Sequence, residues 1–259
     1  MPETASKPET SNDRTYTDSN SVLLWELVNT TEFKWFVSHV LVDVFGLLSL
    51  VYWQKTSVCD VFYRIAFFFS ILSLLILQYK KYSKTPPTLN SLFDDENTRQ
   101  LIFSVICLFS TRHVLALLPF LINSFFVCLT YIRSYILPAI GHANESPLST
   151  RLREFVANFN EPLTLLSATF ELLFAVQLWF LSLNFSMNKW AFFLLYMIYF
   201  RSRYNNSVYL RRVVKTAEIN IDQVLGHPSM PPVVKQGWLK VKNFLNTSYN
   251  PESEEKKNE

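Results

Sequence analysis

Five ionisable side chains stand inside apolar runs of this sequence, where any chemistry they perform would be costly to place. His39 and Asp43 are four apart and share one helical face. Arg112 and His113 interrupt a long apolar stretch, and Glu171 sits near the middle of another. Charges in hydrocarbon are expensive and rare. One use for them is a relay: a small-solute, ion or lipid transporter or scramblase built on His39, Asp43 and Glu171. The other is interhelical hydrogen bonding and ion pairing, for instance Glu171 with Arg112. The second fits better, because no pair of Gly-interrupted helices marks a transporter's broken segments. Neutral isosteres at the three positions separate the two readings, since a transporter loses flux while membrane morphology stays normal.

Elsewhere the sequence holds no catalytic constellation. Glycine occurs only at 46, 141, 226 and 237, so no Gly-rich phosphate loop exists, and HExxH, CxxC and GxSxG are all missing. No catalytic residue, cofactor or metal is expected. Cys59, Cys107 and Cys128 show no paired spacing and lie in or beside apolar runs, which makes them buried free thiols.

The elements that must position these residues are membrane helices. Aromatics make up 16% of the 259 residues and charged residues only 17%, and the apolar residues arrive in blocks rather than scattered through a soluble core. A net charge of +3 is too small to argue for nucleic acid, and the bases cluster at the ends of the blocks. Residues 1–32 read as a disordered polar tail whose acids argue against a mitochondrial presequence. Spans follow at 33–53 and 61–79, and Lys80, Lys81 and Lys84 come directly after the second. Asp94-Asp95-Glu96 marks a helix start. The stretch 101–132 is too long for one span; it divides into an apolar half at 101–110 and a full span at 114–132 containing Pro119. Ser146-Pro147 has the form of an N-cap followed by proline at the first helical position. Leu148, Leu152, Phe155, Val156 and Phe159 then predict a surface helix that Pro162 stops. A span at 163–183 and a short apolar piece at 190–200 complete the membrane domain, 33–200.

Charge decides among topologies. Four single crossings would leave Arg133, Arg151 and Arg153 in the lumen, whereas hairpins or re-entrant pieces at 101–132 and 163–200 return every strongly basic loop to the cytoplasm. The positive-inside rule favours the second arrangement, and in both cases the termini are cytosolic. The expected fold is therefore all-α: a polytopic helical membrane protein with four full spans, two short re-entrant or hairpin helices, and cytosolic amphipathic C-terminal helices.

The tail, 201–259, carries the more specific signals. Arg201, Arg203, Tyr204, Arg211 and Arg212 have the composition of a membrane boundary on the positive side. Leu210, Val213, Val214, Ala217, Ile221, Val224 and Leu225 form one helical stripe. In 233–245, Val234, Trp238, Val241 and Leu245 share a face flanked by Lys235, Lys240 and Lys242, the pattern of an interfacial helix that binds curved, anionic bilayers. Packing on the membrane domain or on a protein partner is the competing use. Lys256 and Lys257 stand third and fourth from the end, as in a dilysine retrieval signal of endoplasmic reticulum proteins.

Leu118-Pro119-Phe120 leading to Thr130-Tyr131, Glu171, and the run from Tyr196 through Arg203-Tyr204 to Tyr209-Leu210-Arg211 resemble the transmembrane protein 33 family. Its fungal members include pore-membrane proteins and a tetra-spanning endoplasmic reticulum protein. The resemblance covers about residues 33–245 and is one of layout and scattered residues. It implies a non-enzymatic, multi-pass protein of the endoplasmic reticulum and nuclear envelope. Such a protein helps shape tubular membrane, works alongside reticulon-type proteins, and influences nuclear pore complex assembly or distribution. It also implies a C-terminal amphipathic region used for membrane binding and an import-receptor contact.

Overall fold

In the computed structural model every regular element among the described residues is helical. Those residues are 25–247 without positions 53, 55, 84–87, 89–91, 93–94, 141–145, 184–185 and 227–230. The tail expected to be disordered therefore lies outside them up to residue 24, as does the Lys256-Lys257 pair. The chain divides into two compact units, Met1–Leu210 and Arg211–Glu259.

Among the described residues, the main helices of the first unit are α1 (Thr31–Val51), α2 (Thr56–Tyr82), α3 (Glu96–Phe109), α4 (Val114–Tyr131), α5 (Pro147–Ser182) and α6 (Met187–Asn206). A π-helical turn, Ile132–Ile136, and the short Leu137–Ala139 prolong α4. Polar caps set the helix starts. Thr30 accepts a hydrogen bond from the Phe33 amide (3.1 Å), so α1 begins inside the stretch assigned to the tail. Asp95 caps α3 through the Thr98 amide (3.3 Å), and Ser146 caps α5 ahead of Pro147 as its sequence predicts. Four segments are long and apolar enough to cross a bilayer, with mean hydropathies of 1.6 to 2.1: Thr31–Val51, Ser57–Tyr82, Val114–Ala139 and Pro147–Ser182.

Consecutive helices are antiparallel, and polar contacts mark the two ends of the bundle. At one end Lys80 pairs with Glu32 (2.5 Å), Lys81 with Asp95 (2.5 Å), and Arg203 with Glu96. At the other Arg112 pairs with Asp60 (3.1 Å). Hence α3 is not a dangling half-span. It travels beside α2 from the Gln78–Asp95 contact (2.5 Å) to the Asp60–Arg112 contact. Its 14 residues cover only about 21 Å, and the loop through Arg112 supplies the remaining reach. The segment expected at 190–200 is likewise longer, because α6 starts at Met187 and continues past the apolar run through Arg203 to Asn206. Both interrupted stretches are hairpins, and the starts of α1 and α3 share an end with the last turn of α6.

Pro162 does not stop its helix. α5 is a single 36-residue element, about 54 Å long, which joins the expected surface helix to the following span. Proline removes one hydrogen bond and needs space for its ring; Pro162 is exposed, so the ring meets no neighbouring helix. Thr164 Oγ1 donates to the Asn160 carbonyl (2.6 Å) across the same turn. Phe155, on the part expected to lie on a surface, packs edge-on against Phe125 of α4.

The core is largely aromatic. Phe103 stacks on Tyr199 (4.6 Å between centroids), Phe174 meets Tyr196 edge-on (4.7 Å), and Phe67 meets Phe120 (5.2 Å). The outer faces of the same helices expose Val61, Phe68, Leu72, Leu75, Leu173 and Val176, as a lipid-facing surface requires. Gly46 is buried, and a methyl group there would displace the end of the Leu121 side chain, so the glycine lets α1 and α4 approach.

Candidate functional site

Each intramembrane ionisable residue meets a different partner. His39 is buried, its Nδ1 hydrogen-bonded to Ser124 Oγ (2.9 Å), with its ring edge-on to Trp35. Asp43 and Cys128 are hydrogen-bonded to each other. Both contacts tie α1 to α4, as the shared face of His39 and Asp43 requires. His113 is buried at the start of α4, stacked on Phe192 and hydrogen-bonded to Thr111 (3.2 Å).

The expected Glu171–Arg112 pair does not form. Arg112 lies at the Asp60 end of the bundle, whereas α5 and α6 pack antiparallel and bring Glu171 to Arg203 (3.4 Å). Arg203, which reads from its neighbours as a boundary residue, instead turns inward and bridges Glu171 to Glu96. Tyr196 completes the junction by donating to the Glu171 backbone carbonyl (2.7 Å). Three helices meet here through one guanidinium, whose fork serves two carboxylates as an ammonium could not. Glu171, Tyr196 and Tyr199 also line a small cavity with Phe103, Pro119 and Phe120, and Glu171 Oε2 has no protein partner. His39 and Asp43 take no part in its walls. Among the described residues no cluster of three or more His, Cys, Asp or Glu side chains could hold a metal ion. Cys59, Cys107 and Cys128 are free and buried.

The second unit contains most of α7 (Val208–Gly226), and α8 (Pro232–Thr247) returns along it. The residues of the periodic stripe fall on α7 with mixed burial: Leu210 is fully buried at its start, Val213, Val214, Ala217 and Leu225 are half-buried, and Ile221 and Val224 are exposed. The side chains of Val234, Val241 and Leu245 lie outside the described residues, while Lys240 is exposed and Lys235 and Trp238 are half-buried. Two further residues, Glu218 and Asp222, organise the hairpin. The Trp238 indole donates to Asp222 Oδ1 (2.6 Å), and Lys242 donates to Asp222 Oδ2 (2.5 Å) and pairs with Glu218 (2.9 Å). Lys242, and after it Trp238, hold the Asp222 carboxyl below the usual aspartate range. Asp222, and after it Glu218, raise the Lys242 ammonium above the usual lysine range. The sequence does carry a signal for this clasp: acids at i and i+4 on one helix match a Trp and a Lys at i and i+4 on the next.

A family model described as transmembrane protein 33/nucleoporin POM33 matches residues 15–251. Among curated proteins, the pore membrane protein of 33 kDa from Saccharomyces cerevisiae is 25% identical, covering 85% of this chain and 84% of its own. Nucleoporin POM33 of Chaetomium thermophilum is 24% identical over 87% and 88% of the two chains. Tetra-spanning protein 1 of Schizosaccharomyces pombe is 26% identical over 85% and 84%. No solved structure matches the chain significantly.

Proposed function

The chain belongs to the transmembrane protein 33/nucleoporin POM33 family, and on that premise we propose that it is a non-enzymatic, multi-pass protein of the endoplasmic reticulum and nuclear envelope. In this reading it helps shape or maintain tubular membrane and influences how nuclear pore complexes are organised or distributed. Two relatives carry the pore or nucleoporin in their names, and a third is a tetra-spanning protein. The observation that carries the proposal is the pairing of a four-span anchor with the α7–α8 hairpin. The hairpin exposes Ile221, Val224 and Val233 beside a lysine-rich helix. An anchored helix of this kind, laid into the cytoplasmic leaflet, expands one face of the bilayer and favours positive curvature there. Both termini are assigned to the cytosol, where Lys256 and Lys257 would serve retrieval. Reticulon-type proteins, pore components and an import receptor are the partners to test.

Imaging the tagged chain against endoplasmic reticulum and pore markers, in cells with and without the gene, tests this directly. Loss of the chain should convert tubules to sheets or cluster the pores, and a chain lacking residues 232–259 should not restore them. Normal networks and evenly spaced pores in the null cells would refute the proposal. The transporter reading draws no support from the geometry. His39 and Asp43 bind partners on α4, Glu171 binds partners on α6, and the cavity that Glu171 lines includes neither of the other two.

A further inference from the structure

The two donors that equip α8 for a lipid surface are already engaged inside the protein. The Trp238 indole N–H and the Lys242 ammonium are what would meet phosphate and carbonyl oxygens at a bilayer interface. In the hairpin both are taken by α7, with Asp222 using one oxygen for each and Glu218 adding a second oxygen to Lys242. The match is geometric as well as electrostatic. Glu218 and Asp222 are one turn apart on α7, Trp238 and Lys242 are one turn apart on α8, and both pairs face each other.

We infer that Glu218 and Asp222 form an internal mimic of an anionic lipid surface, one that holds α8 on α7 until a bilayer of sufficient negative charge displaces it. This inference rests on the proposed membrane-binding role of α8 and adds its regulation. The single indole N–H of Trp238 cannot serve Asp222 and a lipid phosphate at once, and the Lys242 charge is shared between its two carboxylates and any anionic surface, so clasp and bilayer compete. The clasp is easily displaced because it is solvent-accessible: Lys242 and Glu218 are each 30% exposed, and Asp222 is 40% exposed. Accessible ion pairs are weak enough for a surface carrying many charges to replace them. Neutral lipid supplies no net charge to attract Lys242 and should leave the hairpin closed. Lys240, exposed and away from the clasp, remains free for the first encounter with an anionic leaflet.

The test uses the full chain in nanodiscs, with nitroxides on cysteines introduced at the exposed positions Gln223 and Gln236. In phosphatidylcholine, pulsed electron spin resonance should report one short distance. Adding phosphatidylserine to a third of the lipid should produce a longer population and, in parallel, quenching of a bimane at Gly237 by spin-labelled lipid. Glu218→Gln with Asp222→Asn keeps both shapes while removing the charges. It should show the long population in phosphatidylcholine alone and require several-fold less phosphatidylserine for half-maximal quenching. If wild type is quenched on phosphatidylserine while the distance stays short, the hairpin docks closed; the switch is then overturned while membrane binding stands. If neither quenching nor distance responds to phosphatidylserine, the membrane role itself fails, and the switch with it.

Discussion

Arg203 shows how one side chain can carry more of the bundle than its neighbourhood in the sequence announces. It serves a buried and a half-exposed carboxylate, Glu171 and Glu96. Arg203→Met should therefore be more damaging than Glu171→Gln, because the first leaves Glu171 charged and unpaired at a cost of about 3–5 kcal/mol. A detergent-solubilised thermal midpoint should fall accordingly, and the double change Glu171→Leu/Arg203→Met should recover part of the loss. Gly46 makes the second residue-scale case. Gly46→Ala requires only the end of the Leu121 side chain to move, whereas Gly46→Leu overpacks the α1–α4 contact and should cost about 1–3 kcal/mol. Equal midpoints for the two Gly46 variants would show that α1 and α4 are not held at this distance.

The α7–α8 hairpin is the element whose behaviour follows most directly from its charges. Asp222 has a depressed pKa, so its contribution is present above the ordinary aspartate value and is lost as pH falls through the lowered one. Lys242 has a raised pKa, so its contribution is present below the ordinary lysine value and is lost as pH rises through the raised one. The spin-label distance between positions 223 and 236 should therefore be constant through neutrality. It should broaden below about pH 4 and above about pH 10, near the reference values of the two groups. A distance that changes between pH 6 and 8 would point to some other contact. Freed of α7, a synthetic peptide of residues 229–248 should be disordered in water, since it is short and Gly237 weakens its helicity. It should gain helical circular dichroism on small anionic vesicles, with Trp238→Glu abolishing the gain. A peptide that stays disordered there would reassign α8 to a protein partner.

At the scale of the whole molecule, the paired ends of the bundle make a topological prediction. The α4–α5 loop, which carries the Asn144 sequon, leaves the bundle at the end marked by Lys80, Asp95 and Arg203, the end proposed to be cytosolic. Asn144 itself is outside the described residues. Asn144 should consequently stay unmodified, so Asn144→Gln should leave the gel mobility and glycosidase sensitivity of the natural chain unchanged. A glycan on Asn144 would place this end in the lumen and reverse the assignment of both termini.

Hydrophobic block lengths, caps and charge asymmetry are local properties, and they are why the helical class, the four long spans, the Ser146 cap and the helix start at Asp94-Asp95-Glu96 were all legible before folding. What reads ambiguously is whatever depends on a neighbour. Ten apolar residues at 101–110 look like a half-span until α2 lies beside them with a partner at each end. Pro162 reads as a stop because the empty space around its ring is invisible in the chain. Glu171 and Arg112 look like partners because both are charges in apolar surroundings. Only the antiparallel packing of α5 on α6 places Arg203, 32 residues away, against the carboxylate. The clasp between Asp222 and Trp238 is the same kind of fact, since periodicity fixes which face of each helix is apolar while tertiary contact alone decides which acid meets which donor.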